Sequence, residues 1–233
     1  EITMLSKFLL DDSRPKMAVL AGAKVDDSLK VAKNFLEKNI VDKIITGGLL
    51  SNLFFLAKGI DIGKSNKEFL KNELGKIEPL VELCKFLLDK YGDKIELPVD
   101  FGINKNDSRA EISINDLPTE YSIMDIGLGT IEKYKEILSG AKAVILNGPM
   151  GVYEMDDFAI GTIEIFTAIA DLDSFKVAGG GHTISAISKL ELNKKFTHVS
   201  VGGGALINFL SGEPMPVIDA LKSSKKKFME DKK

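Results

Sequence analysis

The sequence has no tryptophan, one cysteine, two histidines and two arginines among 233 residues. A single cysteine excludes an intrachain disulfide and a cysteine-built zinc site, and fits a reducing compartment. Cys84 itself reads as a small buried hydrophobe on a helix. With Arg14 and Arg109 as the only arginines, no guanidinium cluster that forks several phosphates can be assembled. The other 29 cations are lysines, so any phosphate chemistry rests on lysine and backbone. Neither sign of charge dominates: 31 Lys+Arg stand against 34 Asp+Glu, a net charge of −3. That balance does not concentrate the chain on polyanions or acidic membranes, and neither nucleic acid nor membrane is expected as a partner. No apolar run approaches the ~18 residues of a membrane span, and the start lacks the basic-then-apolar build of a signal peptide. The expectation is a soluble, cytoplasmic protein. The first residue is Glu1 rather than methionine, and the natural beginning is expected to lie upstream.

What is present is 44% apolar residues, enough for one large domain or two small ones. Short β-branched runs at residues 17–20, 43–46, 98–103, 122–126, 143–147, 174–178 and 198–201 alternate with amphipathic stretches. Several end in glycine followed at once by a helical pattern, as at Gly47-Gly48 and Gly179-Gly180-Gly181. Strand, glycine turn and helix in repetition predict a mostly parallel sheet with helices on both faces, a doubly wound α/β fold. Residues 65–91 read as a long helical region interrupted near Gly75 and Pro79, with Phe69 and Phe86 on its apolar face. Residues 96–115 read as strands or a hairpin turning at Asn106-Asp107-Ser108. Residues 222–233 are a charge run, read as a solvated helix end.

Two familiar glycine motifs fail. Gly59-Ile60-Asp61-Ile62-Gly63-Lys64-Ser65 has three residues between its glycines where the phosphate loop of nucleotide hydrolases needs four, and no strand precedes it. The dinucleotide fingerprint would need glycine at Ile184 or Ile207, which disfavours a nicotinamide enzyme. Other segments survive. Gly22-Ala23-Lys24-Val25 follows a strand and enters a helix with Asp26 or Asp27 as its N-cap, so backbone N–H groups and the Lys24 charge together form a phosphate site. Read alone, the same segment is also a capped turn with a solvated lysine. Asn147-Gly148-Pro149-Met150-Gly151-Val152-Tyr153-Glu154 is a rigid turn after a buried strand. A carboxylate held on such a loop can accept both hydroxyls of a ribose; alternatively Glu154 is a surface residue starting the next helix.

In order and spacing, these segments resemble the phosphoglycerate kinase family of archaeal type. Arg14-Pro15, Gly22–Val25, Gly47-Gly48, Leu97-Pro98-Val99-Asp100, Asp125-Ile126-Gly127, Asn147–Glu154, Gly179–Thr183 and Gly202-Gly203-Gly204-Ala205 carry the likeness, over roughly residues 1–221. The likeness is to the carboxyl-terminal, nucleotide-binding lobe of a two-lobed enzyme. It implies a Rossmann-like domain at 13–221, the end of an inter-lobe helix at 1–12 and a charged tail at 222–233. It further implies in-line phosphoryl transfer between 1,3-bisphosphoglycerate and ADP, reversibly giving 3-phosphoglycerate and ATP. The triose would bind through the other lobe, and this chain alone would be inactive. A stand-alone adenine-nucleotide-binding module without catalysis is the alternative.

Residue by residue, the resemblance places Lys24 on the nucleotide phosphates and Gly22, Gly47 and Gly48 around the adenine with Met124, Ala23 belonging to the same site. Asn147 approaches ribose and phosphate, and Glu154 holds the ribose hydroxyls. Gly180 and Gly181 present N–H groups to the transferring phosphoryl group, acting with Lys24 in catalysis, and His182 and Thr183 follow in the nucleotide site. Gly202–Gly204 aim a further helix end at the cleft. Two positions depart from the commonest pattern: Ser28 replaces a lysine and His182 an aspartate, changes associated with the archaeal branch. Imidazole is a poor ligand for magnesium. The resemblance therefore implies Mg2+ held mainly by the phosphates of ADP or ATP, with Asp27 as a substitute carboxylate through water and no direct protein ligand.

Overall fold

The computed structural model describes the backbone of residues 1–230 and the side chains of residues 1–227. Along the chain run α1 (Ile2–Leu10), β1 (Lys16–Leu20), α2 (Val25–Glu37), β2 (Lys43–Thr46), α3 (Gly48–Ala57), α4 (Lys64–Leu74), α5 (Glu78–Tyr91), β3 (Ile95–Glu96), β4 (Asp100–Lys105), β5 (Ser108–Ser113), β6 (Ser122–Ile126), α6 (Leu128–Ser139), β7 (Ala143–Asn147), α7 (Ile160–Asp171), β8 (Phe175–Gly179), α8 (Gly181–Lys189), β9 (His198–Ser200), α9 (Gly204–Ser211) and α10 (Pro216–Glu230). Six strands pair in the order β3-β2-β1-β7-β8-β9, all parallel. Every residue of β1 and β7 is buried, which is why these strands read as unbroken apolar runs rather than alternating ones.

The side-chain period of two sends alternate residues of β1 into two cores. Ala18 and Leu20 pack with Leu29, Phe35, Phe54, Leu87 and Leu210 from α2, α3, α5 and α9. Met17, Val19 and Ala21 pack on the opposite face with Ile131, Tyr134, Phe166 and Ile187 from α6, α7 and α8. The fold is therefore an α/β, doubly wound, Rossmann-like domain. Two lysines lie inside it. Lys16 Nζ donates to the carbonyls of Phe8 and Asp11, and Lys176 Nζ to those of Ala170 and Leu172. Each thus serves carbonyls that a helix C-terminus leaves unpaired. Burial pushes both ammonium groups below the usual lysine range.

Two of the short runs lie outside the parallel sheet, one of them in the hairpin expected within residues 96–115. The segments at 98–103 and 122–126 become β4 and β6 of a separate antiparallel sheet, order β5-β4-β6. The reason is the connection. Asn106 and Asp107 both take positive φ, 55° and 60°, closing a two-residue hairpin, whereas a parallel pair needs a crossover of a dozen residues or more. The sixth parallel strand is instead the two-residue β3. The helical region 65–91 divides at Gly75, φ 71°, while Pro79 stands in the first turn of α5, where its missing N–H costs nothing. Phe69 and Phe86 are not core residues: they are 52% and 43% exposed. Helix α10 passes residue 221 without a break and its lysines up to Lys227 are exposed; residues 231–233 of the charge run lie outside the described residues. No helix among the described residues is long and apolar enough to cross a membrane.

Candidate functional site

Strand order reverses direction between β1 and β7, and the crevice outside the carboxyl ends of strands at such a point is where open α/β sheets bind ligands. Four loops meet there and are stitched to one another. Ala21 N–H donates to the Asn147 carbonyl (2.9 Å), Gly48 N–H to that of Met150 (2.9 Å), Leu49 N–H to that of Gly22 (3.2 Å), and Gly148 N–H to Thr183 Oγ1 (2.7 Å). Such close backbone approach admits only glycine at two points. Gly48 has φ 57° and a Cβ there would stand 2.7 Å from Gly22 N; Gly148 has φ 97° and its Cβ would stand 2.0 Å from the Ala21 carbonyl oxygen.

The crevice has two compartments. The larger, about 190 Å³, is walled mainly by apolar groups: Phe101, Ile123, Met124, Ile126, Met150 and Val152, with Gly22, Ala23 and Gly48 at one side and Glu154 and His182 also lining it. The smaller, about 70 Å³, is lined by Lys24, Asp27, Asn147, Gly180, Gly181, Thr183, Gly203 and Gly204. Gly22, Ala23, Pro149 and His182 line both, so the two form one continuous groove. The N-termini of α2, α8 and α9 converge on the smaller compartment, and none of their N-cap residues, Lys24, Gly180 and Gly203, makes a side-chain cap hydrogen bond. The Ala23, Gly202 and Gly203 carbonyls take the N–H groups of Val25, Ala205 and Leu206, which leaves those of Asp26, Asp27, Gly181, His182, Thr183 and Gly204 for an anion. At ~0.3–1 kcal/mol per helix end, three ends supply ~1–3 kcal/mol, comparable with one charged hydrogen bond from Lys24.

Most of the residues singled out in the sequence come together here, but three details differ. Lys24, not Asp26 or Asp27, is the N-cap of α2, with both aspartates in its first turn. Gly47 lines neither compartment: it packs behind the wall, where a Cβ would strike Met150 Sδ at 2.7 Å. Ser28 also faces the interior, fully buried, its Oγ without a hydrogen-bond partner among the described residues. His182 and Glu154 meet at the junction of the compartments, Nδ1 to Oε1 3.7 Å, both more than half exposed, and the His182 ring stands edge-on to Tyr153.

Sequence reasoning missed part of the wall. Phe69, Asn52 and Asp125 line the larger compartment; Phe69 and Asn52 sit in ordinary helix patterns, and Asp125 belongs to the Asp125-Ile126-Gly127 segment that carries the family likeness but is assigned no role by it. Asp125, at the end of β6, is paired with Arg109 of β5 at 2.8 Å and accepts the Gly161 N–H at 2.8 Å. Arg109 also donates to the Asp157 and Ile126 carbonyls and to Glu111. Burial pushes the Asp125 carboxyl up to about 6, against the opposing pull of the Gly161 N–H and the Arg109 guanidinium. One of the two arginines is thereby spent on the architecture behind the groove.

Comparison with known proteins accords with this arrangement. The family model Phosphoglycerate kinase matches residues 1–213. Phosphoglycerate kinase of Thermoplasma acidophilum is 51% identical over 229 residues, 98% of this chain and 56% of that protein. That of Pyrococcus abyssi is 48% identical, over 100% of this chain and 57% of the relative. The crystal structure of phosphoglycerate kinase from Pyrococcus horikoshii superposes with a TM-score of 0.90 at 45% identity, covering 97% of this chain and 56% of that one. The Coxiella burnetii structure gives 0.83 at 30% identity, covering 96% and 56%. The chain thus spans somewhat more than half the length of the relatives it matches. Matched through nearly all its length in sequence and in fold, it belongs to the phosphoglycerate kinase family.

Proposed function

We propose that this chain is the nucleotide-binding part of a kinase that moves a phosphoryl group between the acyl phosphate of 1,3-bisphosphoglycerate and ADP. The observation that carries the proposal is the continuous groove, apolar at one end and lined by helix N-termini and Lys24 at the other. In this reading the adenine lies in the apolar compartment beside Met124, Gly22 and Gly48, the ribose at Glu154, and the phosphates along Ala23, Lys24, Asn147 and the Gly180–Thr183 turn. Gly47 supports that wall from behind.

The transferring group carries its charge on equatorial oxygens, so catalysis is positioning plus electrostatic donors and no protein nucleophile is needed. Lys24 and the N–H groups at Gly180 and Gly181 are the donors this chain contributes. Lys24 is the one lysine or arginine among the described residues lining the two compartments. A single lysine leaves the acyl-phosphate side unserved, so turnover requires further donors and the chain by itself binds nucleotide without transferring phosphoryl groups.

Magnesium, which needs one or two carboxylates besides phosphate oxygens, fits this donor set. Asp27 lines the phosphate compartment, and no group of three or more metal-binding side chains occurs among the described residues. Asp27 would hold the ion through water, and the ion would neutralise phosphate charge. Calorimetric titration of the 233-residue chain with ADP tests the proposal: one site per chain is expected, and no binding refutes it. A coupled assay of the same preparation is expected to show no transfer; turnover would overturn the claim that further donors are required.

A further inference from the structure

Among the phenylalanines whose side chains are described, only Phe69 and Phe86 are exposed, 52% and 43%. Phe86 has company on its own helix: Lys90 Nζ stands 5.6 Å from its ring centre. Phe69 has neither an aromatic nor a cationic partner among the described residues. It lines the larger compartment instead, from α4, together with Glu73 one turn further along the helix. The helix is not free to turn and bury it. Leu70, the next residue, is fully buried, and Asn66 ties the first turn of α4 to β6, its amide donating to the Ile62 and Tyr121 carbonyls and accepting from Ile123 N–H. Successive helical residues point about 100° apart, so a helix that seals Asn66 and Leu70 in the interior holds Phe69 at the compartment.

The floor of the compartment is already dry: Phe101, Ile126 and Met150 are no more than 1% exposed. Val152, 37% exposed, stands at its mouth from the loop after β7. An unpartnered ring beside a dry apolar cleft leaves in water a large apolar surface that a bound ring system would cover. We propose that Phe69 is a base-binding residue: the base of the nucleotide lies against the Phe69 ring, which closes the outer side of the compartment. This rests on the reading that the groove holds a nucleotide, and adds to it a residue from an element, α4, that carries none of the glycine motifs. Phe69 does not line the phosphate compartment, so its contribution falls on the base and leaves the phosphates untouched. Every base has a π-face, and the contact therefore rewards ring area rather than any pattern of ring substituents.

The test is calorimetric titration of the whole 233-residue chain, parent and Phe69→Ala, with ADP and with ribose 5-diphosphate, which keeps the sugar and both phosphates and lacks the base. Stacking of a base on an aromatic side chain predicts that Phe69→Ala binds ADP about 5- to 150-fold more weakly, while its affinity for ribose 5-diphosphate changes by less than about twofold. The variant folds, since the ring it removes belongs to no core, and its Tm stays within about 2 °C of the parent. Because the sequence has no tryptophan, Phe69→Trp adds a single reporter that keeps an aromatic face. It retains ADP affinity within about threefold, and its emission is quenched by ADP and unaltered by ribose 5-diphosphate. An ADP affinity of Phe69→Ala within about twofold of the parent, an equal loss for both ligands, or tryptophan emission indifferent to saturating ADP would overturn the proposal. Absence of ADP binding to the parent would overturn the nucleotide reading itself, a distinguishable result.

Discussion

Replacing Arg109 by leucine tests whether the ion pair behind the groove holds its wall. The substitution removes the Asp125 partner at 2.8 Å and the donors to the Ile126 and Asp157 carbonyls; the Glu111 contact lies nearer the surface and counts for little. One-sided removal of a buried pair costs about 3–5 kcal/mol, because the remaining carboxylate is buried without compensation. For a chain of this length that is about 6–20 °C in Tm. The cost must depend on pH. The Asp125 carboxyl already titrates near 6, above its ordinary value, because of its burial, and loss of the guanidinium raises it further. A carboxyl raised in the folded state is stabilising as the acid, so the penalty is full above that value and fades below it, where Asp125 is neutral in parent and variant alike. Urea unfolding should therefore show about 3–5 kcal/mol lost near pH 8 and about 1–2 kcal/mol, the missing hydrogen bonds, near pH 5. An equal loss at both pH values, or less than about 1 kcal/mol near pH 8, would refute the assignment of a buried charged pair.

Asp125→Asn separates the same linkage from the arginine: the parent loses stability from this group as pH rises from about 4 through about 6, a swing of about 3 kcal/mol set by the raised carboxyl, and the variant's melting curve should lack that slope. Lys24→Ala should weaken ADP binding about 10- to 150-fold, the equivalent of one charged hydrogen bond, with unaltered circular dichroism; an unchanged dissociation constant would make Lys24 a solvated turn residue. Gly180→Ala places a Cβ 2.5 Å from Asn147 Oδ1 at a φ of 93°, so it should cost about 1–2 kcal/mol of stability and also reduce ADP affinity, which calorimetry and thermal melts resolve separately. His182→Asp adds a carboxylate at the junction of the two compartments and should steepen the magnesium dependence of ADP binding, read by titrations with and without the metal, whereas His182→Asn should leave that dependence nearly unaltered.

The periodicity of β1, β2, β7 and β8 and the glycines that follow them were sufficient to determine a doubly wound sheet, because a strand buried on both faces can only be apolar throughout and a strand-to-helix turn at van der Waals contact can only be glycine. The motifs around Lys24, Asn147 and Gly180 were legible for the same reason: backbone conformation and local charge are written within a few neighbouring residues. What a residue faces is not. Ser28 stands four residues beyond Lys24 on the same helix yet is sealed in the core, and Gly47 touches Met150 from behind while Gly48, its neighbour, opens on the groove. The hairpin turning at Asn106-Asp107 was legible locally, but that β6 joins it in a second, antiparallel sheet, and that Phe69 lines the groove, was not. Asp125 and Arg109 meet across 16 residues. Side chains distant in sequence acquire a common environment through packing, and only the tertiary structure decides which of them share it.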